Sequence, residues 1–264
     1  MHSPDSYDWG RGGDKVRDNR ARFEGTAGIN EFANELVPHL DLACVTNHMR
    51  CSFAAQLSST STTVVVLPGM EVNLQIEPIA FPRIHVLSIL PSGSTQASFA
   101  CLFSSIPDVP RDDAHRTGRE VVTGLTLKEW VDKVHLEGGL CIAAHVDTNN
   151  GARLVFRQVA REVLRLFHEK DSTEDEYEKE IPDVLKNYLF DSGLDAIEIH
   201  KSDDVQHYRW VSRKDGQSRS IATLLTFDAH TCEAFGRKDR VTHVKMNWRH
   251  WVECPIGNAI CSTG

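Results

Sequence analysis

An aspartate and a histidine follow an apolar run in the last quarter of the chain. Phe227-Asp228-Ala229-His230 comes directly after residues 221–225, a run typical of a buried strand. Asp228 and His230 are two positions apart, so in an extended chain they project to the same side. Both groups are costly to bury unless something pairs with them, and a divalent cation pairs with both. The pattern therefore predicts a metal-binding position at the end of this strand.

Other apolar runs also carry metal-competent side chains at one end. The six residues of this set are His48, Glu71, His85, His145, Asp228 and His230. His85 differs from the others because it opens its predicted strand instead of closing it. Imidazole and carboxylate ligands together suit zinc, manganese or iron, and a carboxylate such as Glu71 is able to bridge two ions. Because no cysteine belongs to the set, a structural zinc knot is disfavoured.

Further residues near these strand ends are candidates for substrate chemistry. Asp147 and His230 are candidate proton carriers. Arg50 and Arg153 are candidate contacts to an anionic substrate, against the simpler interpretation that both are surface arginines. The remaining histidines are interpreted as structural or surface residues. Among these, His200 follows Ile197-Glu198-Ile199, and Glu198 is a candidate for supporting a metal ligand without itself binding the ion.

Apolar runs alternate with helical patterns along most of the chain, which predicts an α/β fold with a mostly parallel sheet. The predicted strands are 42–46, 63–67, 84–90, 140–144, 196–199, 221–226 and 242–246. The predicted helices are 29–40, 126–137, 153–169, 176–191 and 203–212. Thr126 with Glu129 forms a capping-box pattern, and Gly69 is expected to let the backbone turn after its strand. Seven strands with polar groups at their ends favour closure into a barrel.

The overall composition limits the classes of function. The chain has 264 residues and a formal net charge of −8, so it gives no strong signal for coating nucleic acid. Seven cysteines without paired spacing indicate free thiols and predict a reducing, cytoplasmic setting. No apolar stretch is long enough to span a membrane. We expect one domain over residues 1–264, with a solvated acidic insertion at 170–183.

The ordered motifs resemble those of the PHP family, the fold shared by histidinol phosphatase and a domain of bacterial replicative polymerases. The resemblance spans nearly the whole chain and is carried by His2-Ser3-Pro4, Thr46-Asn47-His48, Gly69-Met70-Glu71, Ile84-His85, Ala144-His145 and Phe227-Asp228-Ala229-His230. The opening residues, Phe235-Gly236-Arg237 and 242–246 are similar to the branch in which a PHP domain precedes an AAA-like ATPase, the TrlF-like proteins. No Walker motif is present in this sequence.

The resemblance implies a distorted seven-stranded (β/α) barrel of the TIM-like PHP type, with two to three divalent ions per chain. Three ligand sets follow from it: His2, Glu71 and Asp228; Glu71, His85 and His145; and Asp8, His48 and His230. It also implies a metal-dependent phosphoesterase that acts on a small phosphate ester or a nucleic-acid end. An ATPase domain is the partner implied for the full-length protein.

The sequence departs from the family pattern at three positions. The first histidine of the opening H-x-H is absent, and with it most of the first strand, which implies an open barrel edge and an under-coordinated first ion. Asn47 replaces the usual aspartate, and Phe227 replaces a common serine. The departures favour an alternative function, a degenerate PHP domain serving as a regulatory or scaffolding module of an ATPase. A third interpretation, an amide or ring hydrolase with a metal-bridging lysine, finds its nearest candidate in Lys201.

Overall fold

Six strands form one curled, mixed sheet, and helices pack on its outer face. The computed structural model describes residues 1–10, 21–61, 63–75, 83–148, 152, 188–201, 211–214, 217–226 and 229–236. The strands in chain order are β1 (Leu42–His48), β2 (Val65–Gln75), β3 (Arg83–Ile89), β4 (Leu140–Ala143), β5 (Ala196–Ile199), β6 (Val211–Lys214), β7 (Gln217–Ser220) and β8 (Ala222–Leu225). The helices are α1 (Gly25–Leu36), α2 (Ser52–Thr60), α3 (Gln96–Leu102) and α4 (Leu127–Leu136), with short 3₁₀ turns at Asp113–His115 and Cys232–Gly236.

The sheet is mixed, with the strand order β1-β2-β3-β4-β5-β8. Strand β3 runs antiparallel to both of its neighbours, whereas the other neighbouring pairs are parallel. The predicted α/β class is confirmed, and three of the five neighbouring pairs are parallel, with β3 as the exception that makes the sheet mixed. The reason lies in the chain length between β2 and β3, which is residues 76–82, because a parallel crossover needs about a dozen residues or more.

Several predicted elements differ from the observed ones. The predicted strand 242–246, the helix 153–169 and the acidic segment 170–183 lie outside the described residues. The predicted helix 203–212 is wrong at its end, because Val211 begins the small β6–β7 hairpin. Thr126 caps α4 together with Glu129 as predicted. Among the described residues, no helix is both long and apolar enough to cross a membrane.

Side-chain alternation along the strands separates two faces of the sheet. The outer face packs against the helices and includes Trp130 of α4 and Phe32 of α1. The inner face is filled by an apolar cluster that contains no helix residue, namely Leu67, Ile89, Leu140, Ile142 and Ala196 with flanking strand residues. Side chains alternate between the two faces with a period of two. His48 of β1 and Glu71 of β2, which lie an even number of residues from Cys44 and Leu67, therefore lie on this same inner face.

The first residues of the chain link the two edge strands of the sheet. The backbone nitrogen of Met1 donates to Cys44 O, and Thr46 N donates to Met1 O, which is a parallel pairing with β1. His2 N donates to Ala229 O, just beyond β8. The curled sheet is compatible with a distorted barrel, and residues 1 and 2 lie at its seam.

Candidate metal centre

The polar cluster lies where the inner face of the sheet meets the carboxyl ends of the parallel strands. His48 is the last residue of β1 and stands opposite Glu71 of β2 in the parallel register. His85 lies near the start of β3, but β3 runs the other way, so its start meets the ends of its neighbours. His145 follows β4 by two residues and has a positive φ of 34°, a conformation that bulky side chains rarely adopt.

Glu71 is the centre of the cluster and is only 2 % exposed. Its Oε2 lies 3.4 Å from His2 Nε2, and its Oε1 lies 3.6 Å from His48 Nδ1. The same Oε1 is in close contact with His85 Nδ1 and lies 3.8 Å from His145 Nε2. One buried carboxylate is therefore surrounded by four imidazole rings.

Asp8 is the centre of a neighbouring group near the start of the chain. Its Oδ2 lies 3.0 Å from His48 Nε2 and 3.5 Å from His230 Nδ1. Its Oδ1 accepts a 2.5 Å hydrogen bond from the Ser6 hydroxyl, which also lies 3.2 Å from His2 Nδ1. Asp8 and Glu71 are thus connected through His2 and His48, which contact both carboxylates.

Asn47 holds the segment that carries His2. Its side-chain oxygen accepts from Ser3 N at 2.7 Å, and its side-chain nitrogen donates to Ser3 Oγ at 2.6 Å. Together with the backbone bonds of Met1 and His2, this pair fixes His2 beside Glu71. Asn47 therefore has a structural partner in Ser3.

Six imidazole rings follow one another across the centre. His2 stacks on His230 and on His48, with ring centroids 4.5 and 4.7 Å apart. The row continues through three further contacts, with centroids 5.1 to 5.7 Å apart: His48 to His85, His85 to His145 and His145 to His200. Asp8, Glu71 and Glu198 each lie within 4 Å of two or more of these rings.

The carboxylates of the cluster are held in their ionised form. Burial by itself raises the pKa of Glu71, but the contacts with His2 and His85 and the charge of His48 outweigh burial and lower it well below the usual value. The pKa of Asp8 is also lowered, because the contacts with His230 and His48 and the charge of His2 outweigh its burial. Both groups are therefore ready to bind a cation without first losing a proton.

The residues present fit divalent cations. His48 Nδ1 and Glu71 Oε1 are buried, and neither makes a hydrogen bond of normal geometry to a described residue. These two atoms are 3.6 Å apart, so one cation between them would satisfy both. Mixed imidazole and carboxylate donors are those that zinc, manganese and iron accept.

The described residues contain four groups of three that are compact enough to hold an ion: His2 with Asp8 and His230; His2 with His48 and Glu71; Glu71 with His85 and His145; and His145 with Glu198 and His200. The third group is one of the ligand sets that the resemblance implies. The contacts of Asp8 with His48 and His230 bring together the members of a second set. Asp228, the remaining predicted ligand, lies outside the described residues.

The predicted catalytic and substrate residues take other positions. Asp147 is buried, and its two oxygens accept hydrogen bonds from the backbone nitrogens of His200 and Lys201. Arg50 donates to Asp5 Oδ1 and to Arg116 O. Arg153 lies outside the described residues. Phosphate contact by Arg50 and proton transfer by Asp147 stay predictions.

Glu198 and His200 are closer to the centre than the sequence interpretation placed them. Glu198 Oε2 accepts from His145 N at 2.9 Å and lies 3.6 Å from His145 Nδ1 and 3.8 Å from His200 Nε2. Burial by itself raises the pKa of Glu198, but the side-chain contact and charge of His145 and the charge of His200 lower it overall. The signal was present in the sequence, because His200 also follows an apolar strand directly.

Comparison with protein-family models and with curated proteins gives no match to the chain.

Proposed function

We propose that the chain is a metal-dependent phosphoesterase that hydrolyses a small phosphate ester or a nucleic-acid end. The observation that carries the proposal is Glu71 with its four surrounding imidazoles, buried on the inner face of the sheet. A carboxylate shared between two compact ligand groups is typical of sites where ions lie side by side. We infer two to three zinc, manganese or iron ions per chain.

The residues divide into holders of the ions and residues at the open rim. His2, His48, Glu71, His85 and His145 would hold the ions, with Asp8, His230 and Asp228 completing the set. Such ions supply positive charge to phosphoryl oxygens and lower the pKa of water at the site. The side chains of His2 and Glu71 form the buried floor, whereas those of His85 and His230 are 25 % and 21 % exposed.

The rim residues are the ones that a substrate would meet. His230 is partly exposed, and its Nδ1 lies 3.5 Å from Asp8 Oδ2. A ring that binds a cation through one nitrogen keeps a proton only on the other, so a bound His230 would meet the substrate as a hydrogen-bond donor. The Asp147 carboxylate accepts hydrogen bonds from the backbone nitrogens of His200 and Lys201, and these bonds position the chain after β5.

The same proposal includes the barrel type, the partner domain and the cellular compartment. We infer that the curled sheet is part of a seven-stranded barrel of the PHP type, in which the backbone of Met1 pairs with β1. The partner would be an AAA-like ATPase domain of the full-length protein, in a cytoplasmic setting. Lys201 is exposed, which gives no support to a metal-bridging lysine.

The test combines metal content with hydrolysis. Protein purified without chelator is expected to hold at least two equivalents of zinc, manganese or iron, and to hydrolyse p-nitrophenyl phosphate or bis(p-nitrophenyl) phosphate. His48→Ala is expected to lose metal and activity, because His48 contacts both Asp8 and Glu71. His39→Ala, which changes an exposed histidine, is the matched control.

The two candidate functions separate in this experiment. A folded protein that holds less than half an equivalent of metal and hydrolyses neither ester would refute the enzyme and favour the regulatory module. Metal-loaded protein that hydrolyses neither ester, but cleaves phosphate from a nucleic-acid end, would assign the substrate class.

A further inference from the structure

A fourth group of ligands lies at one end of the row of imidazoles, separated from Glu71 by His145. It consists of Glu198 on β5, His200 directly after β5 and the Nδ1 side of His145, and we refer to it as the Glu198 group. None of the three ligand sets implied by the family resemblance includes Glu198 or His200. The group is therefore additional to the centre of the proposed phosphoesterase.

The spacing of the Glu198 group is that of ligands on one cation. Glu198 Oε2 lies 3.6 Å from His145 Nδ1 and 3.8 Å from His200 Nε2. Two ligands that each stand about 2.0–2.2 Å from a tetrahedral zinc ion are about 3.3–3.6 Å apart. The observed separations are too long for direct hydrogen bonds and slightly longer than this ligand spacing, so small side-chain movements would complete the site.

The imidazole of His200 has a buried nitrogen, Nε2, without a hydrogen bond to a described residue. A buried ring nitrogen without such a bond loses the free energy of its hydration. A cation beside Glu198 Oε2 would restore that free energy.

The backbone and side chains around the group are fixed in advance. Glu198 Oε1 accepts a hydrogen bond from the Thr226 hydroxyl, and Oε2 accepts one from His145 N. Asp147 accepts hydrogen bonds from the backbone nitrogens of His200 and Lys201, which holds the turn after β5. Preorganised ligands lose little conformational freedom when an ion binds.

We propose that Glu198, His200 and His145 Nδ1 form a separate binding site for a zinc-class divalent cation. Two imidazoles and one carboxylate are a ligand set that zinc accepts with a fourth position open. The site does not depend on the proposed hydrolysis, because Glu198 and His200 belong to it alone.

His145 links this site to the Glu71 centre. Its Nε2 faces Glu71 and His85, and its Nδ1 faces Glu198. Two cations held by the two nitrogens of one ring repel each other. We therefore expect the Glu198 group to bind its cation more weakly while the Glu71 centre is loaded, and more tightly in His85→Ala, which removes a ligand from that centre.

The test counts Zn²⁺ ions bound by chelator-stripped protein, in competition with a metal-indicator dye. His200→Ala and Glu198→Gln are each expected to bind one ion fewer than the wild type, while the control His39→Ala binds the full number. Circular dichroism of the metal-free proteins shows whether each variant is folded. Co²⁺ absorption in the visible range gives a second count, because loss of one site removes part of the ligand-field spectrum.

The result that overturns the proposal is a folded His200→Ala and a folded Glu198→Gln that both bind as many Zn²⁺ ions as the wild type. A second measurement needs no variant. Crystals of the wild-type chain soaked in saturating Zn²⁺ are expected to show anomalous scattering within bonding distance of His200 Nε2. Its absence both there and in soaked crystals of His85→Ala, where this site is expected to bind more tightly, refutes the site. Failure of phosphoester hydrolysis would leave this ion count unaffected, so the two proposals fail separately.

Discussion

Replacing Glu71 with glutamine tests the centre with the smallest change in shape. Glutamine keeps the size of the side chain and removes its negative charge. Glu71 is buried and contacts four imidazoles, and it belongs to two of the compact ligand groups. We therefore expect Glu71→Gln to abolish tight binding at both groups, since a neutral amide oxygen is a weak ligand for these cations.

The magnitude follows from the number of groups that share Glu71. A cation present at 100 times its dissociation constant stabilises the folded chain by about 2.7 kcal/mol. Two such ions add about 5 kcal/mol to the wild-type free energy of unfolding, and the variant loses that gain. At about 2–4 °C per kcal/mol for a chain of this size, the metal-dependent rise in Tm falls by about 10–20 °C.

The assay compares thermal unfolding of each protein with chelator and with excess Zn²⁺, together with metal content by elemental analysis. Glu137→Gln is the matched control, because Glu137 is exposed at the end of α4 and the chemical change is the same. The control is expected to keep the full rise in Tm. A folded Glu71→Gln protein with the wild-type metal content and the wild-type rise in Tm would show that Glu71 holds no ion.

Three further perturbations test the packing around the site. Arg116→Ala is expected to cost about 3–5 kcal/mol in urea unfolding, because it leaves the buried Asp113 carboxylate without its 2.9 Å ion pair; a loss below about 1 kcal/mol, the range of a surface pair, would contradict this. Gly69→Ala is expected to cost about 1–3 kcal/mol, since a Cβ there would lie 2.7 Å from a side-chain carbon of β1; an unchanged unfolding midpoint would refute the close packing. Iodoacetamide at pH 8 is expected to modify the exposed Cys101 in the native protein and to spare Cys44, because burial raises the pKa of Cys44 to about 11. Peptide mass mapping measures the labelling, and equal modification of the two cysteines would contradict this prediction.

The same close packing corrects the predicted role of Gly69. The sequence interpretation placed a turn there, but Gly69 lies inside β2, between Thr46 of β1 and Ser88 of β3. Glycine is needed because the neighbouring strands approach too closely for a side chain. This close approach brings Glu71, two residues later, within reach of His48 and His85.

Local patterns in the sequence determined the α/β class and most of the cluster. Apolar runs followed by histidine or carboxylate identified His48, Glu71 and His145 as candidates. Glu71 was found although it lies inside β2 and not after its end, because the predicted strand 63–67 was too short. The capping box at Thr126 and Glu129 is likewise a local feature, since its hydrogen bonds join residues three positions apart. Such features need no knowledge of distant parts of the chain.

Only the tertiary structure decided how these residues meet. His85 opens its strand and joins the centre because β3 is antiparallel to β2 and β4. The short connection that favours this direction was hidden in the sequence, because β2 extends to Gln75, well beyond the predicted strand 63–67. His200 and Glu198 join it because β5 lies beside β4, which sets them against His145. His2 reaches Glu71 through backbone bonds to both edges of the sheet. The physical reason is that strand order and direction depend on contacts between segments far apart in the chain, whereas the alternation of side chains depends only on the residues of each segment.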